Sequence, residues 1–92
     1  MFAAGETVRV KDAWPETSGP VHIRTPWYVR GVTGEVARHL GAFPNPEDLA
    51  FGRPAERRDL YHVRFRKGTI WPEAKPDDEV QVEIYEHWLE RP

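Results

Sequence analysis

Four histidines and fifteen carboxylates are the groups in this chain that could take part in acid–base or metal chemistry, and there is no cysteine at all. The missing thiols exclude disulfides, thiolate metal sites, iron–sulfur clusters and a cysteine nucleophile together. His22, His39, His62 and His87 are spread along the sequence, and no two stand at the short spacing that a zinc or copper site uses. They read as surface or partly buried imidazoles. Ser18 is the single serine and lies in a Gly-Pro loop, without the base or the sharp elbow that activates a hydroxyl. Asp77 and Asp78 fall in a turn, where exposed carboxylates keep ordinary acidity and make poor general acids. Autonomous hydrolysis by this chain is therefore not expected.

The chain carries 13 basic and 15 acidic side chains, a formal net charge of -2, with a pI of about 6.1. Nucleic-acid binders are usually basic, and a barrel that bound oligonucleotides would use aromatics interleaved with arginines. Arg24, Trp27, Tyr28 and Arg30 could form such a patch, but the acidic balance argues against it, so no nucleic-acid partner is expected. The charge is uneven along the chain. From His22 to Arg38, Arg24, Arg30 and Arg38 face one acid, Glu35, whereas acids dominate from Glu73 to Glu90. Either these are solvated faces of opposite sign, or the basic stretch meets an anionic group on a partner.

The elements that must position these residues are short. With 92 residues, 39% of them hydrophobic, there is apolar surface for one core and not two, so residues 1–92 are read as one domain. Thr7–Lys11 alternates and follows Gly5, which predicts a first strand. Trp14–Pro20 is dense in turn formers and reads as an exposed loop. Thr25–Arg30, with Pro26 near its start and Gly31 behind it, fits a single helical turn. Glu35–Leu40 predicts a second strand, with Val36 and Leu40 facing inward and Gly41 ending it. Ala42–Asp59 reads as a long loop with one helical turn at Pro46–Ala50. Leu60–Arg66 is the clearest strand, its Tyr61, Val63 and Phe65 on one face and His62, Arg64 and Arg66 on the other. Ile70-Trp71-Pro72 is a connection, Lys75–Asp78 a turn, Val80–Tyr85 a strand with Val80, Val82 and Ile84 inward, and Glu86–Leu89 a short closing turn. Four or five short strands with no helix of ordinary length favour a small antiparallel β-barrel, an all-β fold. No apolar run approaches the roughly 20 residues needed to cross a bilayer, and no secretory signal pattern opens the chain. A cytoplasmic protein with no membrane partner is the expectation.

One segment is far more specific than these patterns. His22-Ile23-Arg24-Thr25-Pro26-Trp27-Tyr28-Val29-Arg30-Gly31, followed by Gly34-Glu35-Val36, resembles the "H-x-R-T-P-x-Y-x-R-G-x-x-G" segment in the C-terminal half of the nitrile hydratase β subunit. Gly41-Ala42-Phe43-Pro44, Leu60–Phe65 and Val82–Leu89 follow in the family's order, the last two resembling its "LYxVxF" and "V-D-L-W-E-x-Y-L" segments. Gly5–Val10 matches the family's opening "GDxVxV" strand. Together these pieces cover nearly the whole chain.

The resemblance implies an SH3-like barrel and a place in a complex that converts nitriles to amides. In that family a cobalt(III) or iron(III) ion is held by a cysteine claw on the α subunit, two of whose cysteines are oxidised to sulfenic and sulfinic acids. A chain without cysteine cannot be that subunit, so this one is expected to bind no metal or cofactor itself. Arginines from the β subunit hydrogen-bond the oxidised sulfurs, and by residue-for-residue match one of them is Arg24. Guanidinium suits that task, because a buried sulfur oxyanion needs a permanently charged donor with several N–H groups. His22 either orients the loop or steadies the site from behind. Trp27, Tyr28 and Arg30 are candidates for the substrate entrance or the interface between subunits. For Trp27 and Tyr28, packing within the barrel is the alternative; Arg30 is better suited to holding backbone carbonyls or an acid.

The departures are informative. The full β subunit has a helical N-terminal half with a further claw-contacting arginine, which this chain lacks, and Val21 and Ile23 stand where the family usually has Gly and Thr. Split β subunits are known in thiocyanate hydrolase and in three-subunit nitrile hydratases of the toyocamycin type. The expected partners are thus a cysteine-claw α-type subunit and a helical half-β subunit. Thiocyanate hydrolysis, or an accessory role in activating the metal-holding partner, are the alternatives.

Overall fold

The computed structural model describes residues 1–18 and 23–92. Its strands are β1 (Thr7–Val10), β2 (Thr33–Pro44), β3 (Arg57–Arg66), β4 (Glu79–Tyr85) and β5 (Leu89–Glu90). They form one sheet of five strands in the order β4-β3-β2-β1-β5, with every neighbouring pair antiparallel. β4 and β5 sit at opposite ends of that order, yet only the three-residue 3-10 turn Glu86–Trp88 separates them in the chain. The sheet must therefore curl until its two edges approach, which makes it barrel-like and agrees with the expected all-β class.

Period-two alternation explains what lies inside. Val8 and Val10 of β1, Val36 of β2, Tyr61, Val63 and Phe65 of β3, and Ile84 of β4 are buried in one cluster. Phe2, Val29, Trp88 and Leu89 complete it, and Val80 and Val82 pack against it half-buried. Gly34 is needed for the close packing of β2 on β3: a Cβ there would lie 2.7 Å from both the Arg64 carbonyl oxygen and the Phe65 ring.

Several expectations are corrected. β2 does not stop at Gly41 but runs to Pro44, and β3 begins at Arg57, so Ala42–Asp59 is not one long loop. The two strands continue as a hairpin paired out to Pro44 and Arg57, and only the tip between them is a connection. Gly41 adopts φ +119 within the strand, a conformation an L side chain avoids, and sits beside a register shift between His39 and Gly41. A second shift lies between Val36 and Arg38. These two irregularities break the alternation, which is why Leu40 is not in the core cluster although a regular strand would have pointed it inward. The helical turn is Pro46–Leu49, capped by the Asn45 side chain, which accepts a hydrogen bond from the Glu47 N–H at 3.1 Å. Trp14–Thr17 is largely exposed as expected, but Pro15–Ser18 forms a 3-10 turn whose Glu16 accepts from Arg30, and the last two residues of the Trp14–Pro20 span lie outside those described. Among the described residues no helix is long and apolar enough to cross a membrane.

Candidate functional site

The motif segment lies on the connection between β1 and β2. Its centre is a 3-10 turn at Trp27–Val29, with Pro26 extended at φ -62 and ψ 141 immediately before it. The turn thus starts later than the predicted helical turn, at Trp27 rather than Thr25. Its far end is fastened to β1: Gly31 N–H donates to the Val10 carbonyl at 2.8 Å, and Val10 N–H to the Val32 carbonyl at 3.0 Å. The Val29 side chain is fully enclosed in the core. One apolar anchor and two backbone bonds therefore fix the short turn.

Arg30 ends the turn with a side chain only 2% exposed. Its Nη1 donates to Glu16 Oε1 at 2.8 Å and to the Ala13 carbonyl at 3.3 Å, and its Nη2 to Glu16 Oε2 at 2.7 Å and the Thr25 carbonyl at 3.0 Å. The guanidinium carbon also lies 4.7 Å from the Trp14 ring centroid and 4.9 Å from that of Trp88. A planar cation against two indoles with its fork on one carboxylate is held by charge, hydrogen bonds and ring quadrupoles together. The hydrogen bond from Arg30 holds the Glu16 carboxyl below the usual carboxylate range.

Arg24 is placed very differently. Its side chain is 52% exposed and, among the described residues, makes one ion pair, Nη2 donating to Glu83 Oε1 at 3.1 Å. Glu83 belongs to β4 and stands opposite His62 of β3, whose Nε2 lies 3.9 Å from the other oxygen, Oε2. Part of the basic stretch thus meets the acid-rich tail of its own chain. Ile23, beside Arg24, packs against the core and anchors the backbone there.

Trp27 is 68% exposed, the most exposed large aromatic among the described residues. Tyr28 is half-buried, edge-on to Trp27 with centroids 5.8 Å apart, and 5.4 Å from the Trp71 ring. Tyr28 therefore packs within the barrel while Trp27 faces outward. His22 lies outside the described residues.

Other paired polar groups lie elsewhere. Glu47 Oε2 accepts from Trp88 Nε1 at 2.9 Å and lies 2.7 Å from His87 Nε2, tying the hairpin tip to the closing turn. His39 Nε2 contacts Asp59 Oδ1 at 3.0 Å, and this bond lowers the Asp59 pKa. Among the described residues, no group of three or more His, Cys, Asp or Glu is arranged to hold a metal ion. With no cysteine in the sequence, the donor set does not fit a thiolate-ligated cobalt or iron.

Sequence reasoning missed Glu16, Trp14, Glu83 and Trp71 as partners of the motif. Glu83 carried a signal, since it lies at a β4 position of an acid-rich segment, but its pairing with Arg24 depends on how the sheet curls. Trp71 was visible only as a large apolar residue on a connection.

Comparison with known proteins fits this geometry. The family model described as "Nitrile hydratase beta subunit, C-terminal" matches residues 1–91. The chain is 36% identical over 90 residues to the cobalt-containing nitrile hydratase subunit beta of Pseudonocardia thermophila, covering 97% of this chain and 37% of that protein. It is 34% identical to the thiocyanate hydrolase subunit alpha of Thiobacillus thioparus, covering 98% of this chain and 71% of that protein. A solved structure of recombinant apo thiocyanate hydrolase from the same organism superposes with a TM-score of 0.85 at 33% identity, covering 99% of this chain and 75% of that one. The chain thus spans well under half of the nitrile hydratase protein and nearly three quarters of the thiocyanate hydrolase one. With the motif turn, the barrel and the closing segment all in place, the chain belongs to the family formed by the C-terminal domains of nitrile hydratase β subunits.

Proposed function

We propose that this chain is a non-metal-binding small subunit of a nitrile hydratase-type complex, converting nitriles to amides, and that it caps an active site whose metal is held by a cysteine-claw partner. The observation that carries the reading is the pairing of a family match over residues 1–91 with an Arg24 that is half-exposed and engaged at one corner. A guanidinium offers five N–H donors, and among the described residues only Glu83 engages them, which leaves donors for an anionic group on a partner. In this reading Arg24 donates to the oxidised claw sulfurs, Trp27 joins the interface or substrate entrance, and His22 supports the loop. Cobalt or iron belongs to the claw-bearing partner, and a helical half-β subunit is the third component.

Fixed donors aimed at a developing or standing negative charge in a water-poor interface stabilise it without reorganisation at the moment of reaction. In this reading Arg24 supplies such donors, on a backbone anchored by the neighbouring Ile23 in the core.

Reconstitution tests the proposal. The purified chain alone should hydrate no nitrile and bind neither cobalt nor iron stoichiometrically, and turnover should appear on mixing with claw-bearing and helical subunits. Turnover by the isolated chain would refute the subunit model. A second reading is favoured by one observation: the solved structure that superposes on this chain with a TM-score of 0.85 at 33% identity is a thiocyanate hydrolase. Offering the assembled complex thiocyanate and a nitrile in parallel separates these two. An accessory role would instead leave the finished complex active after this chain is removed.

A further inference from the structure

Arg24 and Arg30 lie six positions apart and are restrained in opposite ways. Both terminal nitrogens of Arg30 donate twice, to Glu16 and to two carbonyls. Among the described residues Arg24 makes a single bond, from Nη2 to Glu83 Oε1 at 3.1 Å. It lies on an irregular segment, where a long side chain would otherwise sample many rotamers. Glu83 is on a paired strand, with Cα in register with His62 and its second oxygen 3.9 Å from His62 Nε2.

We propose that Glu83 is a positioning residue that holds Arg24 by one corner, so that the remaining guanidinium edge is presented to an anion on a partner protein. This rests on the reading that Arg24 meets such an anion. Three features support it. The anchor engages one nitrogen, so the guanidinium is not saturated by it. It comes from a strand rather than a loop, so it is fixed relative to the barrel. Both side chains are about half to one-third exposed, 52% for Arg24 and 38% for Glu83, so the pair is weak enough for Arg24 to be shared with a second anion. The arrangement restrains direction without neutralising the cation, as a support behind a binding group should.

The test uses the full chain, free and assembled with its partner subunits, with Glu83→Gln, Glu83→Asp and Arg24→Lys. In the free chain, side-chain NMR of the Arg24 guanidinium should show an ordered group in the parent and in Glu83→Asp and an averaged one in Glu83→Gln, with the thermal midpoint unmoved. In the complex, Glu83→Gln should lower kcat by about tenfold with KM within about twofold, as expected when a group is misaligned rather than removed. Glu83→Asp should restore most of the loss, and Glu83→Gln should add little on top of Arg24→Lys. An Arg24 equally ordered in Glu83→Gln, or a Glu83→Gln complex with full turnover while Arg24→Lys is impaired, overturns the role of Glu83 and leaves the role of Arg24 standing. Full turnover in Arg24→Lys itself overturns both.

Discussion

Arg30 donates from both terminal nitrogens to the two carboxylate oxygens of Glu16, at 2.8 and 2.7 Å, and so joins the loop after β1 to the turn before β2. The same guanidinium reaches the Ala13 and Thr25 carbonyls and packs on the rings of Trp14 and Trp88. A lysine there cannot reproduce the planar fork or serve four acceptors at once. Arg30→Lys should therefore destabilise the free barrel by about 2–3 kcal/mol, through lost charge-assisted bonds and unpaired carbonyls. In a domain of this size that lowers the thermal midpoint by roughly 10–20 °C. Calorimetry on the free chain checks it, and a midpoint within a few degrees of the parent would show that the turn is held without this side chain.

The pH dependence of stability follows from three shifted groups. Glu16 is lowered chiefly by its hydrogen bond from Arg30, and Asp59 chiefly by its bond with His39. A depressed carboxylate favours the folded state at pH values above its unfolded pKa, near 4, and that contribution disappears as pH falls through the folded value. Tyr61 is raised by burial, so its contribution is present below about pH 10 and is lost as pH climbs through the folded pKa. From these groups, urea midpoints should fall as pH drops below about 4 and again as it climbs past about 10. Glu16→Gln should shrink the acid limb, and Tyr61→Phe the alkaline one. An unchanged acid limb in Glu16→Gln would mean that other carboxylates set it.

The residue pattern foretold some of this better than the rest. Tyr61, Val63 and Phe65 alternate without interruption, and β3 buries all three. In β2 the same logic failed at Leu40, because two register shifts against β3 lie within a few residues of it, and a bulge has no period. The hairpin beyond Gly41 was hidden for a related reason. Pro44, Pro46, Gly52 and Pro54 read as loop, and only cross-strand pairing of Phe43 with Arg58 and Pro44 with Arg57 extends the strands through that region. At the site, Arg24 and Arg30 were picked out by the motif, but what separates them is long-range. Glu16 and Glu83 are 14 and 59 positions away from their arginines, and no local pattern assigns those acids.

Trp27 offers a test of association that leaves the fold alone. It is 68% exposed, and its contact to Tyr28 is edge-on at 5.8 Å. Trp27→Ala should leave the free chain's melting within a few degrees of the parent, since a side chain already in solvent contributes little buried area to the core. If this indole is buried by the claw-bearing partner, the same change should weaken assembly by about 2 kcal/mol or more, a typical cost for a central aromatic anchor. Titration calorimetry of assembly gives the answer, and equal affinities for parent and variant would place the interface elsewhere on the barrel.

Arg24 is where fold and function should separate most cleanly. Its ion pair with Glu83 joins two well-exposed side chains, and pairs of that kind contribute about 0–1 kcal/mol. Arg24→Lys should consequently leave the free barrel as stable as the parent, in contrast to Arg30→Lys. In the assembled complex the change keeps the charge and loses the fork, so a site that needs several preorganised donors should lose about 2–4 kcal/mol of transition-state stabilisation, seen as a fall of roughly thirty- to a thousandfold in turnover. Assembly should suffer less than turnover, because lysine keeps the positive charge at the interface and loses only the planar fork. Melts of the two free variants and kinetics of the two reconstituted complexes form a crossed experiment. The assignment holds if stability falls only in Arg30→Lys and if Arg24→Lys lowers turnover without lowering stability. The reverse pattern, with Arg30→Lys inactive but stable and Arg24→Lys fully active, would move the anion-facing role from Arg24 to Arg30 and would require Glu16 to release its arginine when the complex forms.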